Sequence, residues 1–184
     1  MEENGNLFLN IKADDLRALG FDRFAVIKTS EVTFSPEVRQ MCEVNRCGRY
    51  NTTWACPPGI GTLEECMARC RVFENCAVFS RAYQLEDSFD FEGMMEGHEQ
   101  FSEASEELRK MIEGKFLMLS VEGCSKCGKC TYPDAPCRFP EKLSGSLEGY
   151  GIFVNRLAGA AGMPYNSGKE IGRASCRERV SLCV

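Results

Sequence analysis

The strongest constraint on this chain is one run of four cysteines, Cys124-x2-Cys127-x2-Cys130-x6-Cys137, whose last member is followed by Arg138-Phe139-Pro140. Three thiols at steps of three let a single loop wrap one inorganic centre, and the fourth, just ahead of a proline, closes the coordination. The tight triplet and the C-to-P ending match the loops of bacterial ferredoxin-type [4Fe–4S] clusters. Zinc is the alternative, although zinc sites more often pair two separate C-x2-C knuckles. Disulfides are a poor solution, because Cys124, Cys127 and Cys130 lie too close together to pair without strain.

Composition narrows the setting of such a loop. A chain of 184 residues fits one domain with a real core. Its 43% hydrophobic and 27% charged residues are those of an ordinary soluble globule. No apolar run reaches bilayer-spanning length, so a membrane is not an expected partner. The start, Met1-Glu2-Glu3-Asn4-Gly5, lacks the basic-then-apolar layout of a signal peptide, and the expected location is cytoplasmic. Thiols stay reduced there, so the 12 cysteines point to metal rather than to disulfides. With a net charge of −5 and no basic cluster interleaved with aromatics, the sequence argues against a nucleic-acid partner.

A second, looser group is Cys42-x4-Cys47-x8-Cys56, followed by Pro57-Pro58. The two prolines stiffen the exit from Cys56. Three thiolates here can hold a second cluster or a metal ion with one position vacant, and open positions are where metals do chemistry. Buried structural thiols are the other reading. Cys66 and Cys70 share a helix face and either complete the second group or pack in the core with Phe73; the core reading is preferred, and Cys76 is read the same way. His98, Met94 and Met95 fall in an apolar stripe and are read as core. Glu92, Glu96, Glu99, Glu103 and Glu106 form a solvated acidic face. Lys126, Lys129 and Arg138 put positive charge beside the first group, which would raise the potential of an anionic cluster.

Local patterns place these groups on elements. Residues 14–20 read as a short helix with a glycine stop, and 23–28 as a strand. Ser35-Pro36 caps a helix that leads into Cys42. A Gly/Pro/Asn/Thr-rich loop covers 45–61. Thr62-x2-Glu65 is a capping box that opens a helix running to about Glu74. Residues 76–85 read as a strand. An amphipathic helix spans 89–113, with the stripe Phe91, Met94, Met95, His98, Phe101, Ser105, Leu108 and Ile112. Phe116–Val121 is a buried strand entering the cysteine loop, and 152–161 a final helix with Gly162 past its end. The expected fold is α/β: one domain, a small mixed sheet with flanking helices in two or three layers, and cysteine-rich cluster-binding loops.

From about Glu170 the text changes character. Glu-Ile-Gly-Arg-Ala-Ser-Cys-Arg-Glu-Arg-Val resembles the in-frame translation of a common short-read sequencing adapter. The expectation is a domain over 1–169, a native sequence interrupted near Gly168 or Lys169, and an artefact over 170–184. Without that stretch's three Arg and two Glu the net charge is −6, and ten cysteines remain.

Taken in order, Cys42…Cys47-Gly…Trp54-Ala-Cys56-Pro-Pro, then Cys124-x2-Cys127-x2-Cys130…Cys137-Arg-x-Pro, then Ser146-Leu-Glu-Gly-Tyr-Gly-Ile152, resemble a prokaryotic cysteine-rich family of predicted metal-binding proteins of unknown function. The resemblance spans nearly all of 20–168. It implies metal or iron–sulfur binding through the cysteine groups and no established reaction. In that family's pattern a cysteine is expected where Tyr150 stands, so a ligand at that position is absent. The pattern also continues into one more apolar strand, so a truncated edge strand is expected here.

Three functions are consistent with these residues. The leading one is a cytoplasmic iron–sulfur protein carrying electrons to a redox partner protein, with Cys124, Cys127, Cys130 and Cys137 on a [4Fe–4S] cluster and Cys42, Cys47 and Cys56 on a second cluster or metal. The second is an enzyme with an open iron in a pocket beside Cys56, lined by Tyr50 and Trp54. The third is a structural zinc domain that binds another protein.

Overall fold

The computed structural model describes residues 11–163, apart from Ser88 and Glu122, together with the backbone of residues 176–183. Its helices are α1 (Ala13–Ala18), α2 (Pro36–Glu43), α3 (Leu63–Arg71), α4 (Phe91–Met111) and α5 (Val154–Ala160). Its strands are β1 (Arg23–Lys28), β2 (Asn75–Gln84), β3 (Met118–Ser120), β4 (Gly145–Ser146) and β5 (Cys176–Cys183). The strands form one mixed sheet in the order β1-β2-β5-β3-β4. All neighbours pair antiparallel except β3 and β4, which are parallel.

Side chains of a strand alternate between faces, and β2 and β3 show what each face buries. Cys76, Val78 and Leu119 join one cluster with Cys66 and Cys70 of α3 and Val154, Leu157 and Ala158 of α5. Their sequence neighbours Phe79 and Met118 point the other way, into a cluster with Leu16 of α1 and Phe101, Ala104 and Leu108 of α4. Helices therefore cover both faces, and the architecture is three-layered α/β. Phe21 anchors the second cluster, edge-on to Phe79 (ring centroids 4.7 Å apart) and to Phe101 (5.7 Å).

The cap residues act as their types require. Ser35 Oγ accepts from Val38 N at 3.3 Å at the start of α2. Thr62 and Glu65 form the reciprocal box at the start of α3, at 3.2 and 2.8 Å. α3 stops at Arg71 rather than near Glu74, because the chain must turn into β2 at Asn75. The amphipathic stripe of α4 is core only in part. Phe101, Ser105 and Leu108 are buried, but Phe91 is 70% and Met95 65% exposed. The helix packs on β2 at Gly97, where a Cβ would stand 2.9 Å from the Tyr83 ring. His98 is likewise partly exposed rather than core.

Two features differ from the sequence reading. β4 is a two-residue strand inside the Ser144–Ile152 motif, and it is held on its outer side by Ser146 N donating to Ala55 O at 3.0 Å. The C-terminal strand was expected at an edge and cut short. β5 instead takes an interior seat, between β2 and β3. The expected break near Gly168 or Lys169 lies outside the described residues. Among the described residues no helix is long and apolar enough to cross a membrane.

Candidate metal centre

Two loops build the site. One is 45–61, between α2 and α3; the other is 121–144, between β3 and β4. The first is shaped by Asn45 and Asn51, both at positive φ (54° and 58°), a conformation that asparagine tolerates better than most residues. Asn45 Oδ1 accepts from Tyr50 N at 3.0 Å, and Asn51 N donates to Pro57 O at 2.8 Å. In the second loop Thr131 Oγ1 donates to Pro136 O at 2.8 Å and Arg138 Nη1 to Lys129 O at 2.9 Å, so the arm bearing Cys137 is tied back to the arm bearing Cys130.

The loops clasp each other. Trp54 Nε1 donates to Ala135 O at 3.1 Å, and the Trp54 ring stands edge-on to Tyr132 at 4.9 Å. Tyr132 Oη donates to Asn51 Oδ1 at 2.9 Å. Gly59 permits the approach: a Cβ there would sit 2.6 Å from Thr53 O and 2.7 Å from the Tyr132 ring. Helix α4 braces the second loop from outside. Glu106 pairs with Lys126, and Arg109 Nη2 donates to Ser144 Oγ at 2.7 Å. The Lys126 charge is thus partly offset by a carboxylate, whereas Lys129, Arg138 and Lys142 of this loop have no such pair among the described residues.

Cys124, Cys127, Cys130 and Cys137 line one cavity of about 250 Å³, with Arg49, Thr53 and Trp54 opposite. All four thiols are free and partly exposed. Cys42, Cys47 and Cys56 line a second cavity of about 380 Å³ together with Tyr50, Ser146 and Glu148. The two groups thus keep separate cavities that share one wall. Arg49 lines both and donates from Nη1 to Cys124 O at 3.1 Å. Cys56 Sγ would lie 3.9 Å from a Cβ on Gly123, the residue before Cys124. The pocket expected beside Cys56 is lined by Tyr50 but not by Trp54, which faces the first cavity.

Within the second cavity, burial raises the Cys42 thiol to about 11, helped by the nearby Glu148 carboxyl and the Cys56 and Cys47 sulfurs. Burial also raises Cys56, against hydrogen bonds from Thr53 and Ser146 and the Arg49 charge. Burial pushes Glu148 above the usual carboxylate range. Sequence reasoning did not pick out Glu148 or Arg49. Glu148 is in the Ser-Leu-Glu-Gly-Tyr-Gly-Ile motif, but only the fold carries that motif to Cys42.

The remaining cysteines belong to the core. Cys66, Cys70 and Cys76 are at most 1% exposed. Cys66 Sγ accepts from Arg69 Nη2 at 3.1 Å and faces Ile60 O, so it does not complete the second group. Tyr150 is also core, with the Arg69 guanidinium 5.0 Å over its ring, and it is not among the residues lining either cavity. A tyrosine there removes no donor from either cavity. Alkylation should separate the two kinds of thiol. At pH 8 in native, metal-stripped protein, iodoacetamide should label Cys47 and the four loop cysteines and spare Cys66, Cys70 and Cys76. For Cys70, raised to about 12, only on the order of 10⁻⁴ is thiolate at that pH. Peptide mapping that found Cys70 labelled as fast as Cys47 would contradict this assignment.

The donor chemistry fits a metal group, since seven free thiols line two adjacent cavities. Among the described residues no three His, Cys, Asp or Glu side chains stand close enough to share one ion.

An α/β scaffold that presents cysteine loops at one end of a sheet defines a cysteine-rich metal-binding protein as a class. The family described as predicted metal-binding protein (DUF2284) matches residues 25–181, and the chain belongs to it. No curated protein and no solved structure matches the chain.

Proposed function

We propose that the chain is an electron carrier that holds a [4Fe–4S] cluster on Cys124, Cys127, Cys130 and Cys137. The observation that carries this reading is the convergence of those four thiols, at ferredoxin-type spacing, on one cavity. The cluster would supply a one-electron couple. The chain's own residues wrap it, tie the loop to α4 through Glu106 and Lys126, and place Lys129 and Arg138 where positive charge favours the reduced form.

A docking face for a basic redox partner lies alongside. Glu92, Glu96, Glu99 and Glu103 of α4 line a surface concavity that reaches Ser125 in the cysteine loop, whose Oγ is 3.4 Å from Ser102 Oγ. Acidic surfaces of this kind steer cationic partners. The chain would operate in the cytoplasm, where its thiols stay reduced.

The test is redox cycling under argon. Dithionite should bleach the visible absorption of the purified protein, and a mild oxidant should restore it over repeated cycles. Absorption that is lost on the first reduction and does not return would refute the carrier role.

A further inference from the structure

The second cavity is lined by a carboxylate as well as by three thiols. Its wall includes Glu148, from the turn between β4 and α5. That residue is half-buried and lines the same cavity as Cys42, Cys47 and Cys56. Among the described residues it makes no ion pair, although Arg46 and Arg49 line the same cavity, so its acceptor oxygens are open to a further partner. The turn that carries it is anchored rather than loose. Ser146 Oγ accepts from Gly149 N at 2.7 Å, and Arg39 reaches across from α2 to Gly149 O. The donors arrive from α2, the 45–57 loop and the β4–α5 turn, all meeting under the end of β3 at Val121.

We propose that Glu148 is the fourth donor of this site, so that Cys42, Cys47, Cys56 and Glu148 together hold a second iron–sulfur cluster. This deepens the proposed function and rests on its premise that the chain binds clusters. Three thiolates satisfy three irons. The carboxylate oxygen, a harder and weaker ligand for a thiophilic centre, takes the fourth. Glu148 would be the donor that a small anionic or neutral ligand could replace. Tyr50 and the exposed Cys47 mark the open side of the cavity.

The test uses the full chain, reconstituted anaerobically with ferrous iron and sulfide, in five forms: wild type, Cys127→Ala/Cys130→Ala, Cys42→Ala/Cys56→Ala, Glu148→Gln and Glu148→Cys. Iron and sulfide are counted per chain, and reduced samples are examined by electron paramagnetic resonance. The proposal expects about eight irons in the wild type and about four in each double variant. Glu148→Gln should lose the second signal or show it shifted, with the first signal unchanged. Glu148→Cys should keep all the iron and move the second signal toward that of an all-thiolate cluster, which also guards against a glutamine variant that merely fails to fold.

About four irons in the wild type, unaffected by Cys42→Ala/Cys56→Ala, would overturn the second cluster and leave the first intact. Identical spectra for wild type, Glu148→Gln and Glu148→Cys would overturn the role of Glu148. Loss of all iron from Cys127→Ala/Cys130→Ala alone would overturn it too, by placing the whole cofactor in the first cavity.

Discussion

The Cys127→Ala/Cys130→Ala variant is expected to lose about four irons and four sulfides per chain, with the matching share of visible absorption, while remaining folded. Both thiols line the first cavity. Two thiolates, Cys124 and Cys137, are too few to retain a four-iron cluster, and alanine cannot substitute as a ligand. Folding should survive because, past Val121, the described residues of the loop contribute nothing to either hydrophobic cluster. Far-ultraviolet circular dichroism should therefore match the wild type. The control is Cys70→Ala, a change of similar size in a thiol that is 1% exposed in the core. It should keep its full iron content and lose stability instead. If Cys70→Ala lost iron while the double variant kept it, the division of cysteines between loop and core would be wrong.

The Phe79→Ala variant is expected to be the most destabilising single change in the sheet, by about 3–5 kcal/mol. Phe79 is 1% exposed, shares a cluster with Leu16 of α1 and Phe101 of α4, and stands edge-on to Phe21. Part of that loss is the aromatic pair, worth about 0.5–1.5 kcal/mol beyond area burial. A domain of this kind has only about 5–15 kcal/mol to lose. For a chain of this length the change corresponds to a fall in Tm of roughly 6–20 °C. The matched control is Phe91→Ala, in the first turn of α4, where the residue is 70% exposed and the change should be within about 0.5 kcal/mol of wild type. Thermal melts of the two variants check both at once. Equal shifts would mean that the apolar stripe of α4 is buried along its whole length.

That contrast also shows what could be read in the text. β1 begins and ends at Arg23 and Lys28, the bounds that its short apolar run between two charges implies, and Ser35-Pro36 and Thr62-x2-Glu65 start helices because their hydroxyls satisfy otherwise orphaned N–H groups. Such signals are local, so they survive without knowledge of the fold. The exposure of Phe91 and Met95 is not local. It depends on where the sheet lies beneath the helix, and the 3.6 period cannot say how far along α4 that support extends. β4 was missed for a related reason: two residues, Gly145 and Ser146, carry no strand pattern and are held by neighbours on either side.

The candidate site divides the same way. Cysteine spacing grouped the seven cavity-lining thiols as the cavities do, because a short stretch of chain keeps its own donors together. Spacing was silent on Glu148, about ninety residues beyond Cys56 in the chain and brought to Cys42 only by the β4–α5 turn. It was equally silent on Arg49, which places one guanidinium between two cavities. The preference for a core role at Cys66 and Cys70 held because thiols on the inner face of an amphipathic helix pack as small apolar groups.

The most direct test of the account is the iron, acid-labile sulfide and zinc content of anaerobically purified protein, read beside its visible spectrum before and after dithionite. The account predicts iron and sulfide in equal amounts, at least about four of each per chain, with absorption that bleaches on reduction. Stoichiometric zinc without sulfide, and no visible absorption, would contradict it and leave a structural or Lewis-acid metal protein in its place.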